Sequence, residues 1–438
     1  MNRQQLITLV LFGVCYVYLC VGRKWKAPVV WAFVVAFVAL GFIPVRAALA
    51  SINLNVLGTF AGTFVVAHMF AESGVPLLLA RGIVARARHE GAAVILVCLL
   101  GGLVSAWVDN VATILIVAPV AFTMAEHLEV DPTPFLIGLT LSTNLQGSAT
   151  MIGDAPSMIL AAYSGMNFND FFWMQGRPGL FFAVQAGAAA SVIILAALFR
   201  RYRDKPEPLP RARVTSWVPA WLLLGIIVVL ASLNILGVRF EYKAGVTCMA
   251  AAAVGLAWFY SRKIRRSGLR EAARHVGRKA AGFDWSTLFL LAGLFVVIGT
   301  LSEVGLIDVI AAAVRSVTGG RFLPTFLAIV GISVILSGFI DNIPYVTALV
   351  PVVLSLGKSM GASPREVSLL LFGLLIGATV GGNITPIGAS ANVVAVRMLE
   401  HRGHKVGFGR FMRIGVPFTV VGVAASCAFL WVFWKLIP

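Results

Sequence analysis

Apolar residues in this chain come in long runs rather than in the narrow stripes of surface helices. The runs fall near 5–22, 27–48, 53–71, 91–108, 110–125, 133–163, 178–199, 217–236, 243–260, 284–302, 322–340, 342–357, 366–396 and 414–436. About 20 apolar residues in a helix cross about 30 Å of hydrocarbon. The pattern predicts an all-α polytopic membrane protein with little mass outside the bilayer. The first run lacks a small-residue cleavage site and meets a second run at once, so it reads as a retained helix rather than a signal peptide.

The pattern also repeats. Phe64-Val65-Val66 with Glu72 and Gly74 matches Phe295-Val296-Val297 with Glu303 and Gly305, displaced by 231 residues. Ser105 with Asp109-Asn110 matches Ser337 with Asp341-Asn342, displaced by 232. Gly147, Thr150, Ile152 and Gly153 match Gly382, Thr385, Ile387 and Gly388, displaced by 235. Three ordered matches at nearly one displacement predict an internal duplication. The expected organisation is N-terminal transmembrane helices at 1–52, repeat one at 53–200, a linker with two spans and a basic loop at 201–282, and repeat two at 283–438.

Two polar interruptions recur in each repeat. The first is Asp109-Asn110, followed by Thr113, and Asp341-Asn342, followed by Thr347. A carboxylate in hydrocarbon costs on the order of 2.5–3.5 kcal/mol on the mildest scale, so two at matched positions argue for function. Each Asp-Asn pair is expected at the tip of a re-entrant hairpin, where its carboxylate can hold Na⁺ or carry a proton. The bland alternative is helix capping, which Asp and Asn do well; both roles can coexist. The second interruption is Gly-rich. It holds Asn144, Gly147, Thr150, Gly153 and Asp154 in repeat one, and Gly382, Asn383, Thr385, Gly388 and Asn392 in repeat two. Gly and Pro unwind a helix, and the freed helix ends aim N–H groups and carbonyls at ions. Unwound backbone at membrane depth is tolerated only where it lines a cavity or packs in protein. The alternative reading is close packing by small residues.

Charge orients the chain. Hydrophobic residues make up 59% of it and charged ones 12%, which excludes a soluble enzyme, a disordered chain and a nucleic-acid-binding domain. The net charge of +17 reads as topology-setting loops, not as a sign of a polyanion partner. Basic clusters lie at 23–26, 81–88, 200–205, 261–280 and 402–413. All five are cytoplasmic in one path that starts and ends outside. That path requires 91–125 and 322–357 to re-enter on the side they came from, which inverts repeat two relative to repeat one. It also leaves Arg315, Arg321, Lys358 and Arg365 outside. Inverted repeats with broken helices are the architecture of many secondary transporters. Cys15, Cys20, Cys98, Cys248 and Cys427 read as buried apolar residues, with neither a disulfide framework nor a metal site. His68, one turn from Glu72, reads as a structural histidine without a counterpart in repeat two. Glu72 and Glu303 match each other and read as structural. His89, His127, His275, His401 and His404 read as loop residues.

Asp109-Asn110-Val111-Ala112-Thr113, then Asn144, Gly147, Thr150, Gly153-Asp154 and Pro156, resemble the ion transporter superfamily. The group of arsenite permeases, a bacterial sodium/proton antiporter family and the P protein is the most similar. Asp341-Asn342-Ile343-Pro344-Tyr345 and Gly381-Gly382-Asn383 through Asn392 resemble its P-protein and citrate-transporter-like branch. The resemblance covers roughly 50–436. It implies a scaffold, a mobile transport unit carrying the hairpins and broken helices, and a homodimer. It implies Na⁺ sites at hairpin and break amides, here Asn110, Asn144, Asn342 and Asn383. The dicarboxylate carriers of the superfamily have Ser-Asn-Thr at their tips. Asp109-Asn110-Val111 and Asp341-Asn342-Ile343 put negative charge there instead, and Ser157 stands where the branch has Asn.

The expected function is secondary active transport of a small inorganic ion or ionisable solute, coupled to H⁺ or Na⁺, with no other cofactor. Arsenite or oxyanion export and cation/proton exchange are favoured over Na⁺-coupled di- or tricarboxylate uptake. A passive channel and an intramembrane aspartyl protease are the alternatives of other classes. The expected surroundings are the cell membrane, with basic loops cytoplasmic.

Overall fold

The structure is a computed structural model that describes residues 1–22, 25–206, 213–238, 240–267 and 283–437. Arg23, Lys24, Arg270, Arg274, His275, Arg278 and Lys279 of the basic loops lie outside the described residues. Helices α1 (Arg3–Val21), α2 (Lys26–Ala39) and α3 (Val45–Ser51) precede the first repeat. The run at 27–48 is therefore not one span: Gly41 adopts φ +72° and Pro44 caps the short α3.

Repeat one contains α4 (Leu54–Glu72), α5 (Val75–Val84), α6 (Glu90–Ser105), α7 (Asn110–His127), α8 (Thr133–Gly147), α9 (Ala155–Ser164) and α10 (Leu180–Phe199). A two-strand ribbon, β1 (Trp173–Met174) and β2 (Arg177–Pro178), precedes α10. The linker supplies α11 (Val218–Ile235) and α12 (Lys243–Ser267). Repeat two follows the same order: α13 (Trp285–Glu303), α14 (Leu306–Thr318), α15 (Phe322–Ser337), α16 (Asn342–Ser359), α17 (Pro364–Gly381), α18 (Ser390–His401) and α19 (Phe408–Trp431). Among the described residues, nine helices are long and apolar enough to cross a membrane. This is an all-α polytopic membrane protein of two inverted repeats, each with a re-entrant hairpin and a broken helix.

Local chemistry explains the breaks. In each hairpin the polar tip residues stop one helix and cap the next. Asp109 accepts the N–H groups of Val111 and Ala112 at 2.9 and 3.2 Å, and Asp341 accepts that of Ile343 at 3.3 Å. An Asp N-cap stabilises a helix by about 1 kcal/mol. The capping reading of these two residues therefore holds in the structure. The short α5 and α14, of 10 and 13 residues, are not in the expected set of spans. They are amphipathic, and α14 meets α15 at 115°. On the periphery, Gly62 of α4 sits against the backbone of Cys248 in α12, the close approach that small residues permit between membrane helices.

The core lies around α8 and α17. Every residue of α8 from Phe135 to Gly147 is buried, and every residue of α17 from Ser368 to Gly381. Unwound backbone follows each of these helices and is enclosed by protein, as hydrocarbon depth requires.

Candidate functional site

Each hairpin tip docks onto the break of its own repeat by the same set of contacts. Ser105 Oγ donates to Asn110 Oδ1 at 2.6 Å, and Ser337 Oγ donates to Asn342 Oδ1 at 2.7 Å. Thr150 Oγ1 donates to Ala106 O at 2.5 Å, and Thr385 Oγ1 donates to Gly338 O. The glycines make the docking possible. A Cβ on Gly147 would lie 2.2 Å from Asn110 Oδ1, and one on Gly382 would lie 2.8 Å from Asn342 Oδ1. Cβ atoms on Gly153 or Gly388 would strike the tip carbonyls of Ser105 and Ser337, each at 2.9 Å. The Gly-rich breaks are thus seats for the two tips.

The seats are joined by amides. Asn144 Nδ2 donates to Asn383 Oδ1 at 2.8 Å and to Asn392 Oδ1 at 2.7 Å. Asn110 Nδ2 donates a long 3.4 Å bond to Asn144 Oδ1. Asn383 Nδ2 donates to Leu141 O, and Asn392 Nδ2 donates to Gly382 O and Thr385 O. Asn144, Asn383 and Asn392 are fully buried. Each buried amide group left unpaired would cost about 1–3 kcal/mol, so this network fixes one arrangement of the two breaks. The structure therefore gathers Asn110, Asn144, Asn383 and Asn392 into one chain of side chains. Asn342 sits in its own seat, accepting from Ser337, and among the described residues makes no hydrogen bond to that chain. Thr113 and Thr347 turn back onto their own elements, donating to Val108 O and Ile343 O.

The carboxylates divide. Asp154 caps α9, its Oδ1 accepting Ser157 N–H at 3.0 Å and Ser157 Oγ–H at 2.6 Å. Asp109 and Asp154 line one cavity of about 10 Å³ with Phe60, Thr63, Phe64, Ile152, Gly153, Ala155 and Met158. That space admits about one water. Asp341 lies elsewhere, with Lys26 Nζ at 3.6 Å and Ser390 Oγ donating at 3.0 Å. His68 and Glu72 pair at 3.3 Å on the outside of α4 and do not reach the seats.

Several participants escape the sequence reading. Ser105 and Ser337 stand in the duplicated motif, and that duplication is the signal for them. Lys26, expected in a basic loop outside the repeats, is the first residue of α2, and nothing in its surroundings in sequence marks it as a partner of Asp341. Gln146 and Gln185 exchange two amide bonds, at 3.0 and 2.7 Å, between α8 and α10. Their spacing of 39 residues gives no pattern to find. The five cysteines are free; Cys15, Cys98 and Cys248 are buried, and Cys20 and Cys427 half-buried.

Duplicated hairpins seated on duplicated broken helices, in a chain of apolar spans, define a multi-span membrane transporter. The family model described as citrate transporter matches residues 16–276 and 246–438, and the chain belongs to that family. An uncharacterized transporter of Mycobacterium bovis is 30% identical over 430 residues, 97% of each chain. The human P protein is 25% identical over 464 residues, covering 86% of this chain and 53% of its own. Among solved structures, the Alcanivorax borkumensis YdaH transporter, described as having an unusual topology, aligns over 98% of each chain. Its TM-score is 0.55 at 16% identity, a likeness of fold.

Proposed function

We propose that this protein is a secondary active transporter of a small inorganic ion or ionisable solute, coupled to H⁺ or Na⁺. The observation that carries this reading is the pair of matched seats: a carboxylate-bearing hairpin tip docked on a broken helix, built twice. Asp109, at the first tip, holds the coupling charge; Asp341, expected in the same role, has Lys26 beside it at 3.6 Å and contributes less. Asn110, Asn144, Thr150, Asn342, Asn383, Thr385 and Asn392 supply the polar surface for coupling ion and solute. The hairpins and broken helices move as the transport unit, while α4, α11, α12 and α13 belong to the scaffold. No other cofactor enters the scheme. The protein sits in the cell membrane as a homodimer, with its basic loops cytoplasmic by the positive-inside rule.

Arsenite or oxyanion export and cation/proton exchange fit an acidic tip. Citrate-like carboxylate transport is the second reading. It is favoured by the family's description and by Lys26, which offsets the charge of Asp341. The test is the purified protein in liposomes with an internal pH dye and imposed gradients of arsenite, Na⁺, citrate or chloride. A saturable proton flux with one of them names the solute. Non-saturating conductance without coupling would replace the transporter by a channel.

A further inference from the structure

The charge path leaves Arg315, Arg321, Lys358 and Arg365 on the face opposite the five basic clusters, where the positive-inside rule gives them no role. Two of them meet. Arg315, in the last turn of α14, and Lys358, in the last turn of α16, line one cleft of about 840 Å³ with Asp308, Ser316, Ser355 and Ser359. Both cations are exposed, and neither forms an ion pair among the described residues. The acid of the cleft is engaged otherwise: Asp308 Oδ1 accepts from Ser355 Oγ at 2.5 Å. Two cations against one carboxylate leave the lining with one net positive charge. Ser316 and Ser359 donate to carbonyls of their own helices, Ala313 O at 2.7 Å and Leu356 O at 2.9 Å. The lining thus offers charge to an anion rather than a cage of hydroxyl donors. At the matching positions of repeat one stand Val84 and Glu126, so the two cations are peculiar to repeat two.

The surroundings are amphiphilic. Helix α14 buries Leu306, Ile307 and Ala311 and exposes Asp308, Ala312, Arg315 and Ser316. It turns by 115° into the apolar α15 at Gly319-Gly320, both left-handed at φ +64° and +65°. A helix with one apolar and one polar face, set sharply against an inserted hairpin, lies along the membrane interface. Val317, beside the cleft, and Leu323 and Leu327, at the start of α15, are exposed apolar side chains. We infer that the cleft binds the headgroup of an anionic phospholipid, its phosphodiester between Arg315 and Lys358 and its acyl chains along α15. A lipid with one net negative charge balances the cleft. A zwitterionic lipid leaves the positive charge uncompensated, and a di- or trianion meets Asp308. Each Lys or Arg near the membrane surface strengthens the attraction of anionic lipid about fivefold. The bland reading is that each cation complements the negative C-terminal end of its own helix; that role needs no ligand and gives no lipid preference. Lys358 lies 16 residues along α16 from Asn342, about 24 Å at 1.5 Å per residue. The site therefore stands apart from the seats and does not depend on which solute is carried.

The test is thermal unfolding of the purified full-length protein in detergent, titrated separately with dioctanoyl phosphatidylglycerol, dioctanoyl phosphatidylcholine and inorganic phosphate. Wild type is expected to show a saturable rise in midpoint with phosphatidylglycerol alone. In the double variant Arg315→Gln, Lys358→Gln the half-saturating concentration rises by at least about tenfold. In Arg3→Gln, Arg365→Gln, which removes two exposed cations of the same face outside the cleft, it stays. If the first double variant fails to fold, Lys358→Gln alone carries the test, with a loss of about fivefold. A rise with inorganic phosphate equal to that with phosphatidylglycerol makes the cleft a soluble-anion site. An equal rise with phosphatidylcholine assigns the stabilisation to acyl chains. Either result overturns the proposal, and so does the lack of a saturable rise in wild type or an equal loss in the two double variants. A midpoint lowered without lipid, with the response to phosphatidylglycerol intact, leaves only the helix-end role and overturns it as well.

Discussion

At the first hairpin tip Asp109 shares a cavity with Asp154; at the second, Asp341 has Lys26 at 3.6 Å and the hydroxyl of Ser390. The backbone of the two tips is alike, and so are the Ser–Asn, Thr–carbonyl and glycine contacts that seat them. Duplication has preserved the mechanical part of the site, whereas the electrostatic part has diverged. One tip presents two acids that no cation pairs with among the described residues. The other carries its cation in the chain, on a helix outside the repeats. Under the transporter reading proposed above, the first tip is the one left to bind a mobile positive charge, whereas Lys26 offsets the charge of Asp341 at the second.

The largest expected effect breaks this comparison directly. Asp154→Asn lowers gradient-driven transport by at least about tenfold, or about 1.4 kcal/mol in the driven step, while Asp341→Asn costs only a few-fold. Flux assays on both variants, matched for folded protein, decide it. Equal losses would make the tips functionally alike. Next comes the amide bridge. Asn144→Ala leaves the acceptors of Asn383 and Asn392 unpaired and lowers stability by about 2–3 kcal/mol. Thr379, at the matching position in repeat two, donates only to Leu375 O within its own helix, so Thr379→Val costs less than about 1 kcal/mol. Unfolding in detergent measures both.

The seats give a finer contrast. Gly147→Ala drives a Cβ to 2.2 Å from Asn110 Oδ1, against 2.8 Å from Asn342 Oδ1 for Gly382→Ala. Overpacking costs about 1–3 kcal/mol, with the repeat-one variant expected at the upper end and the repeat-two variant at the lower. The same melting measurement ranks them. Lys26→Gln tests the built-in cation; the pair is partly solvated, so its loss costs about 1 kcal/mol or less.

The smallest effect lies at the surface. Asp131, in the turn between α7 and α8, feels burial raising its pKa, yet hydrogen bonds from Thr133 and the Arg410 guanidinium hold it below the ordinary carboxylate value. A depressed carboxylate contributes stability that is present above its unfolded pKa and lost as the pH falls through its folded one. Acid titration of stability should therefore show a slight loss below the ordinary carboxylate range that is missing in Asp131→Asn.

What the sequence discloses follows from what it repeats. The hairpins, the breaks and most seat residues stand out because polar residues interrupt apolar runs twice at one displacement. The amide bridge is harder to see, because it is not repeated: Asn144, Asn383 and Asn392 match Thr379, Ser148 and Ser157. The Asp109–Asp154 cavity needs three-dimensional closure of the tip against the break, and 45 residues separate the two acids. Helices α5 and α14 are short and amphipathic, so a search for long apolar runs passes over them. Lys26 reads as one more topogenic cation until the fold sets it beside Asp341.

The central claim is that the first tip carries the coupling charge and the second does not. Solute counterflow and proton-driven accumulation, measured side by side in liposomes, test it most directly. The account predicts that Asp109→Asn keeps solute exchange across the membrane but loses accumulation against a gradient, while Asp341→Asn keeps both. Accumulation that survives in Asp109→Asn, or fails equally in both variants, would contradict it.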